Sequence, residues 1–469
     1  LDISPLPEDH IVTRRIFSPL FVLAAICLAS VSLQAQEFKA PVAKMELEDG
    51  DSIVFLGDSI THQRLYTQYV EDFFYTRYPK KRLKFHNSGV GGARAWDALQ
   101  RFDRDVAAYK PKYVTILLGM NDGTYVPYDE KTFRTYHADM TEIVNRIVKI
   151  GATPILMTPT MYDSRAARLN PRRRTSPPER LELYNSVLAY YGTWLREVAV
   201  ENGHGFVDMY GPLNNLTLAE RKKDPNFTLI KDSVHPDAPG QLVMAYAIIE
   251  DMGLRGGVSN IRIMPGAKGQ LASPAQGGQV SKLTKTSDGL EFVWTANALP
   301  WVLPEEAAVG VKLLKLGHRA SREGLEVHGL APGRYELSID GNAVGQYSSV
   351  QLARHIELQE NAKTPQHQQA AQVAALNKER NEGPIKALRD DWRTFQQFAR
   401  LKRQLASDAD NADLKKQVAS YSERLAGLEE RIKKNEAAAM AIEDRLFEIN
   451  QPQHREYVLK RMARPAKTK

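Results

Sequence analysis

Ser59, Asp232 and His235 are the residues whose types could carry out group transfer. A serine hydroxyl is a weak nucleophile until a base removes its proton. An imidazole oriented by a carboxylate supplies such a base. In Asp232-Ser233-Val234-His235 the two groups stand three residues apart, so one loop can carry both. The second ring nitrogen is then left to face Ser59. An acyl-transfer intermediate also needs fixed donors for its oxyanion. The backbone N–H groups of Ser59 and Gly92 and the side-chain amide of Asn121 are the candidates.

These groups must be positioned by an alternation of strands and helices. Ile53-Val54-Phe55-Leu56 reads as a buried strand that stops at Gly57, with Asp58 and Ser59 at its end. Leu83 to Asn87 reads as a second strand ending in Gly89 to Gly92, and Tyr113 to Leu118 as a third ending in Gly119-Met120-Asn121-Asp122. Thr153 to Met157 and Gly205 to Asp208 complete five strands. Helices are expected over 93–109, 131–149, 179–201 and 238–252, the last ended by Gly253. Such alternation implies a parallel sheet covered on both faces. Ligands bind at the carboxyl ends of its strands, where the polar residues fall.

Singly, each piece is commonplace. Gly-Asp-Ser and Asn-Asp-Gly are ordinary turn sequences. Asp232 and His235 could cap a helix or form half of a metal site, but no second histidine or acidic cluster at ligand spacing accompanies them. His62 could line the pocket or simply start a helix, and Asp58 is expected to bond backbone at its turn. Tyr162 and Asp163, directly after the fourth strand, are candidates for shaping specificity. Arg172-Arg173-Arg174 could attract an anionic substrate such as a uronic-acid polymer, or be a solvated basic loop.

Taken together and in order, Gly57-Asp58-Ser59, Gly89 to Gly92, Gly119-Met120-Asn121-Asp122 and Asp232-Ser233-Val234-His235 resemble the blocks of the SGNH, or GDSL-type, serine hydrolases. The resemblance covers about residues 51–253. It implies a three-layer α/β/α fold with a flavodoxin-like parallel sheet. It also implies Ser59 as nucleophile, His235 as base, Asp232 as its partner, and Gly92 and Asn121 as oxyanion donors beside the Ser59 N–H. Carboxylic esters and thioesters are the substrates it suggests, with no cofactor and no metal. A carbohydrate O-acetyl esterase is the expected activity. A lipid or lysophospholipid esterase, a thioesterase, and a non-enzymatic binding or assembly protein on a retained hydrolase scaffold are the alternatives. No Gly-x-Ser-x-Gly elbow is present, so the ordinary α/β-hydrolase fold has no anchor.

At 469 residues the chain exceeds one domain, and 43% hydrophobic with 25% charged residues is a globular composition. The net charge of +7 arises from closely mixed signs, which speaks against nucleic-acid binding. Cys27 is the sole cysteine, which excludes a disulfide framework. It lies in an apolar run behind Arg14 and Arg15 that reads as a signal peptide over 1–36, cleaved near Ala35, for a secreted or periplasmic protein. The run is shorter than the roughly 20 residues of a membrane span.

A catalytic domain is expected over 45–255 and a small β-rich domain over 256–360, the latter for packing or for substrate binding. Over 361–469 a helical region is expected. Leu414, Val418, Tyr421, Leu425, Leu428 and Ile432 suggest a coiled-coil seam. Ser407 to Asn411 would turn it into an antiparallel hairpin, serving as packing, lid or site of homo-oligomerisation.

Overall fold

Ser52–Gly57 forms β1, and all six of its residues are buried because helices cover both faces of its sheet. The computed structural model describes residues 39–171 and 176–463, within one compact unit that starts at Lys39. The expected signal segment with Cys27 and Ala35, and the Arg172-Arg173-Arg174 loop, lie outside the described residues.

Beside β1 run β2 (Lys84–Gly89), β3 (Tyr113–Leu117), β4 (Thr153–Met157) and β5 (Gly205–Val207), all parallel, in the order β2-β1-β3-β4-β5. This is the flavodoxin-like order of a three-layer α/β/α fold. Its helices are α1 (Ser59–His62), α2 (Leu65–Arg77), α3 (Ala95–Asp105), α4 (Glu130–Lys149), α5 (Ser164–Leu169), α6 (Pro178–Asn202), α7 (Tyr210–Arg221) and α8 (Ala238–Asp251). Phe55 stacks on Phe85 at 6.3 Å and meets Tyr66 edge-on at 6.2 Å, tying β1, β2 and α2 into one core. Each such buried aromatic contributes about 1.5–3 kcal/mol.

Two smaller sheets follow. One is β14-β11-β6-β7, with β8 also on β6, built from β6 (Ser259–Pro265), β7 (Leu271–Ala272), β8 (Ala275–Gln276), β11 (Glu323–Val327) and β14 (Ile356–Glu357). The other is β13-β12-β15-β10-β9, from β9 (Gly278–Lys285), β10 (Gly289–Ala296), β12 (Arg334–Ile339), β13 (Asn342–Ser348) and β15 (His454–Arg461). They share a core of Ile261, Phe292, Trp294, Leu325, Leu337 and Leu459. Three short helices, α9 (Ala308–Leu314), α10 (Leu316–Ala320) and α11 (Ser349–Arg354), interrupt the strands.

The C-terminal helices are α12 (Pro365–Arg380), α13 (Lys386–Ser407), α14 (Ala412–Arg424) and α15 (Leu428–Ile449). A π turn at Asn381–Ile385 containing Pro384 joins α12 to α13. The hairpin turns at Asp408 to Asn411, where the Asn411 side chain caps α14. The expected seam is not one continuous helix, because Gly427 at φ +67° separates α14 from α15. Nor is the stretch helical to its end. β15 returns and inserts between β12 and β10, so the last strand closes a sheet begun before the helices.

Polar contacts bind these helices to α2 and α3 beside the first sheet. Asn377 Nδ2 donates to Asp72 Oδ1 at 2.8 Å, and Asn381 Nδ2 donates to Glu71 Oε2 at 2.7 Å. Arg389 donates two bonds to the fully buried Asp105, at 2.8 and 3.0 Å. Among the described residues no helix is long and apolar enough to cross a membrane.

Candidate active site

The site begins at a close approach between α1 and the end of the sheet. A Cβ at Gly57 would lie 2.0 Å from Thr61 Oγ1, and one at Gly89 would lie 2.4 Å from the His62 backbone nitrogen. Only glycine at both positions lets α1 seat on β1 and β2. Asp58 caps that short helix, accepting from the Ile60 N–H at 2.9 Å, the backbone role its position suggested. Burial pushes its carboxyl up to about 6, against the Ile60 N–H and the charge of His235. Ser59 follows as the first helical residue, half-buried on the rim.

The loop ahead of α8 supplies the partners. His235 Nε2 stands 2.8 Å from Ser59 Oγ, and His235 Nδ1 stands 2.6 Å from Asp232 Oδ2. A proton on Nδ1, donated to the carboxylate, leaves Nε2 to accept from the hydroxyl. The other carboxylate oxygen accepts from the backbone N–H groups of Val234 at 2.9 Å and His235 at 2.7 Å. Burial acts to raise the Asp232 carboxyl, but these bonds outweigh it and hold it down at about 2. Asp232 is thus anionic at neutral pH, with the His235 ring nitrogen against it.

Asn121 and the turn holding Gly92 lie at the ends of β3 and β2, on either side of β1. Asn121 Nδ2 donates to Ala93 O at 3.0 Å and lies 3.5 Å from Asp58 Oδ2. Its Oδ1 accepts from the Tyr125 hydroxyl at 3.2 Å, which fixes which way the amide faces. Thr124 and Tyr125 both have positive φ, 55° and 57°, and that strained bend brings the phenol back over Asn121. Asp122 accepts from the Ala95 N–H at 2.8 Å and the Gly119 N–H at 2.9 Å, and burial pushes it up to about 7.

Other residues singled out in the sequence take supporting places. The Asp163 backbone N–H donates to Ser233 O at 3.0 Å. Its side chain caps α5 and accepts from Arg221 at 2.6 Å and Thr228 at 2.5 Å. Asp163 therefore braces the loop that carries Asp232 and His235. Tyr162 is buried among Tyr125 and Tyr184. His62 lies 3.4 Å from Gly89 O and 3.9 Å from Asp390, and burial lowers it to about 4. Among the described residues no group of three or more His, Cys, Asp or Glu could hold a metal ion.

Sequence reasoning missed two sets of residues. Tyr125 carries no motif. Gln396 and Arg400 on α13 contact the carbonyls of Gly91 and Gly92, at 3.0 and 2.6 Å, from more than three hundred residues away.

The model of the GDSL-like lipase/acylhydrolase family matches residues 55–243. An acetylxylan esterase of Geobacillus stearothermophilus is 27% identical over 231 residues, covering 45% of this chain and 97% of that protein. An uncharacterized lipoprotein of Bacillus subtilis is 28% identical over 123 residues, covering 23% of this chain and 48% of that protein. Among solved structures, a gut microbial diltiazem-metabolizing enzyme superposes with a TM-score of 0.75 at 27% identity, covering 90% of this chain and all of that one. That likeness extends well beyond residues 55–243.

Proposed function

We propose that this chain, a carboxylic ester hydrolase whose residues 55–243 match the GDSL-like lipase/acylhydrolase family, is an exported O-acetyl esterase of carbohydrates acting through Ser59, His235 and Asp232. The observation that carries this reading is the relay itself, with 2.8 Å from Ser59 Oγ to His235 Nε2 and 2.6 Å from Nδ1 to Asp232.

In the proposed reaction His235 Nε2 takes the hydroxyl proton as Ser59 Oγ attacks the ester carbonyl. The N–H groups of Ser59 and Gly92 and the Asn121 amide receive the oxyanion. His235 then returns the proton to the departing alcohol, leaving an acyl group on Ser59. A water activated by the same imidazole releases it as the acid. Each proton moves between an oxygen and one ring nitrogen, and Asp232 keeps its charge throughout.

Acetylated carbohydrate is favoured by the likeness of the catalytic region to an acetylxylan esterase. The His235 and Asp232 side chains are 29% and 50% exposed, so the relay ends at the surface, where a polymer can lie. Export is supported by the apolar run behind Arg14 and Arg15. Division into a catalytic domain at 45–255, a β-rich domain at 256–360 and a helical region at 361–469 is part of this reading, with β15 returning to the β-rich part.

The experiment is acetate release from a panel of acetylated polysaccharides, acetylxylan among them, and from diltiazem, compared with Ser59→Ala. Release from a carbohydrate by wild type and not by the variant is expected. Turnover of long-acyl esters with none from any acetylated carbohydrate would overturn the substrate class.

A further inference from the structure

α13 runs past the turn that carries Gly92, and its contacts there bear on the orientation of one peptide. Ala93 N–H donates to Val90 O at 3.1 Å, so Gly91 and Gly92 are the central pair of a β-turn. Gly92 has φ +68°, the sign that a type II turn requires at its third position. Two adjacent glycines offer little steric resistance to a flip of the peptide between them. Such a flip would reverse the direction of the Gly92 N–H. In a trans peptide the Gly91 carbonyl and the Gly92 N–H point in opposite directions, so whatever holds one aims the other.

Gln396 holds that carbonyl. Its Nε2 donates to Gly91 O at 3.0 Å, and the side chain is buried. Four residues on, Arg400 donates to Gly92 O at 2.6 Å and makes two bonds to Asp97, at 2.8 and 2.6 Å. Two turns earlier on the same face, the buried Arg389–Asp105 pair anchors the helix. Among the described residues the Gly92 N–H makes no hydrogen bond to the protein, so it is free to serve a substrate. Gln396 Oε1, by contrast, is buried without a partner. For packing alone a leucine would fill this place without that burden.

We propose that Gln396 is a positioning residue for ester hydrolysis, holding the Gly91–Gly92 peptide so that the Gly92 N–H faces the oxyanion formed at Ser59. The C-terminal helices thereby complete the active site. A hydrogen bond to the carbonyl also polarises the N–H at the other end of the same peptide and strengthens it as a donor. This inference rests on reading Ser59 as the nucleophile and Gly92 as an oxyanion donor.

The test uses the full chain, 4-nitrophenyl acetate, and the variants Gln396→Leu and Gln396→Met. Both fill the space and remove the donor. Loss of a direct oxyanion donor costs about 10²- to 10³-fold in kcat, and loss of the group that aims one should cost about tenfold. The expected result is that fall in kcat with KM unchanged and a melting temperature at or above wild type. Wild-type kcat in either folded variant, a change confined to KM, or a kcat loss that merely follows a lowered melting temperature would overturn the inference. Ser59→Ala separates the two layers. If it keeps wild-type turnover, the reading of the site fails. If it is inactive while the Gln396 variants keep their kcat, only the role of Gln396 fails.

Discussion

At the rim, Ser59, His235 and Asp232 are linked in that order, with the imidazole between the hydroxyl and the carboxylate. Behind the edge strand β2, the same three residue types meet again with the carboxylate in the middle. Asp105 accepts from His86 Nε2 at 3.0 Å and from the Ser88 hydroxyl at 2.8 Å. Two arginines, Arg101 at 2.9 Å and Arg389 at 2.8 Å, complete its shell, and the aspartate is fully buried. Burial opposes ionisation there, but the Arg389 charge leads a set of favourable contacts that hold the Asp105 carboxyl far below the usual range. Its lone pairs are spent on donors. The Ser88 hydroxyl donates to a carboxylate too weakly basic to take its proton, and among the described residues no imidazole nitrogen is bonded to that oxygen. The two clusters share a serine, a histidine and an aspartate, and what separates them is linkage order, access and the two arginines on Asp105. The buried one fastens α13 to α3 and β2; the open one can pass a proton.

Replacing the hydroxyl at the rim should break the open cluster outright. Ser59→Ala or His235→Ala is expected to lower kcat for 4-nitrophenyl acetate by about 10⁴-fold or more, with melting close to wild type. Asp232→Asn should cost somewhat less, roughly 10³- to 10⁴-fold, because the imidazole loses its orienting charge but stays in place. Steady-state kinetics beside thermal melts will show whether activity and stability separate as they should. In the buried cluster the loss is of stability. Arg389→Met leaves the buried Asp105 with Arg101 as its one arginine and should cost about 1.5–3 kcal/mol in denaturant unfolding.

The smaller effects sharpen the contrast. Ser88→Ala should lower stability by about 1–2 kcal/mol while turnover per folded molecule stays at wild type. Acid titration adds a signature of its own. Burial lowers His86 to about 4, against the raising influence of its bond to Asp105. The unfolded chain takes up that proton near 6.5, well before the folded one does. Stability should therefore fall as the pH drops from about 6.5 to about 4, and more shallowly in His86→Gln. Melting temperatures across that window will check it.

The elements of the first sheet and the rim residues were readable because their signals are local. A short apolar run that ends in Gly57-Asp58-Ser59, or an aspartate three residues before His235, needs no knowledge of the rest of the chain. What escaped the reading depends on distant partners. Gln396 looks like any polar residue on a charged helix until Gly91 O is set against it. Asp163 could not be ranked, since its value lies in meeting Arg221, Thr228 and Ser233 at once. β15 was hidden for another reason. In His454–Arg461 only Tyr457 and Leu459 are buried, and the flanking charges mask the alternation of a strand that is central in its sheet.

Trapping of the covalent intermediate tests the central claim most directly. Wild type mixed with an activated acetyl ester and quenched in acid within a turnover should carry one acetyl group, found by peptide mass spectrometry on the fragment holding Ser59 and absent from Ser59→Ala. An acetyl group on the fragment holding Ser88 instead, or full turnover by Ser59→Ala, would contradict it.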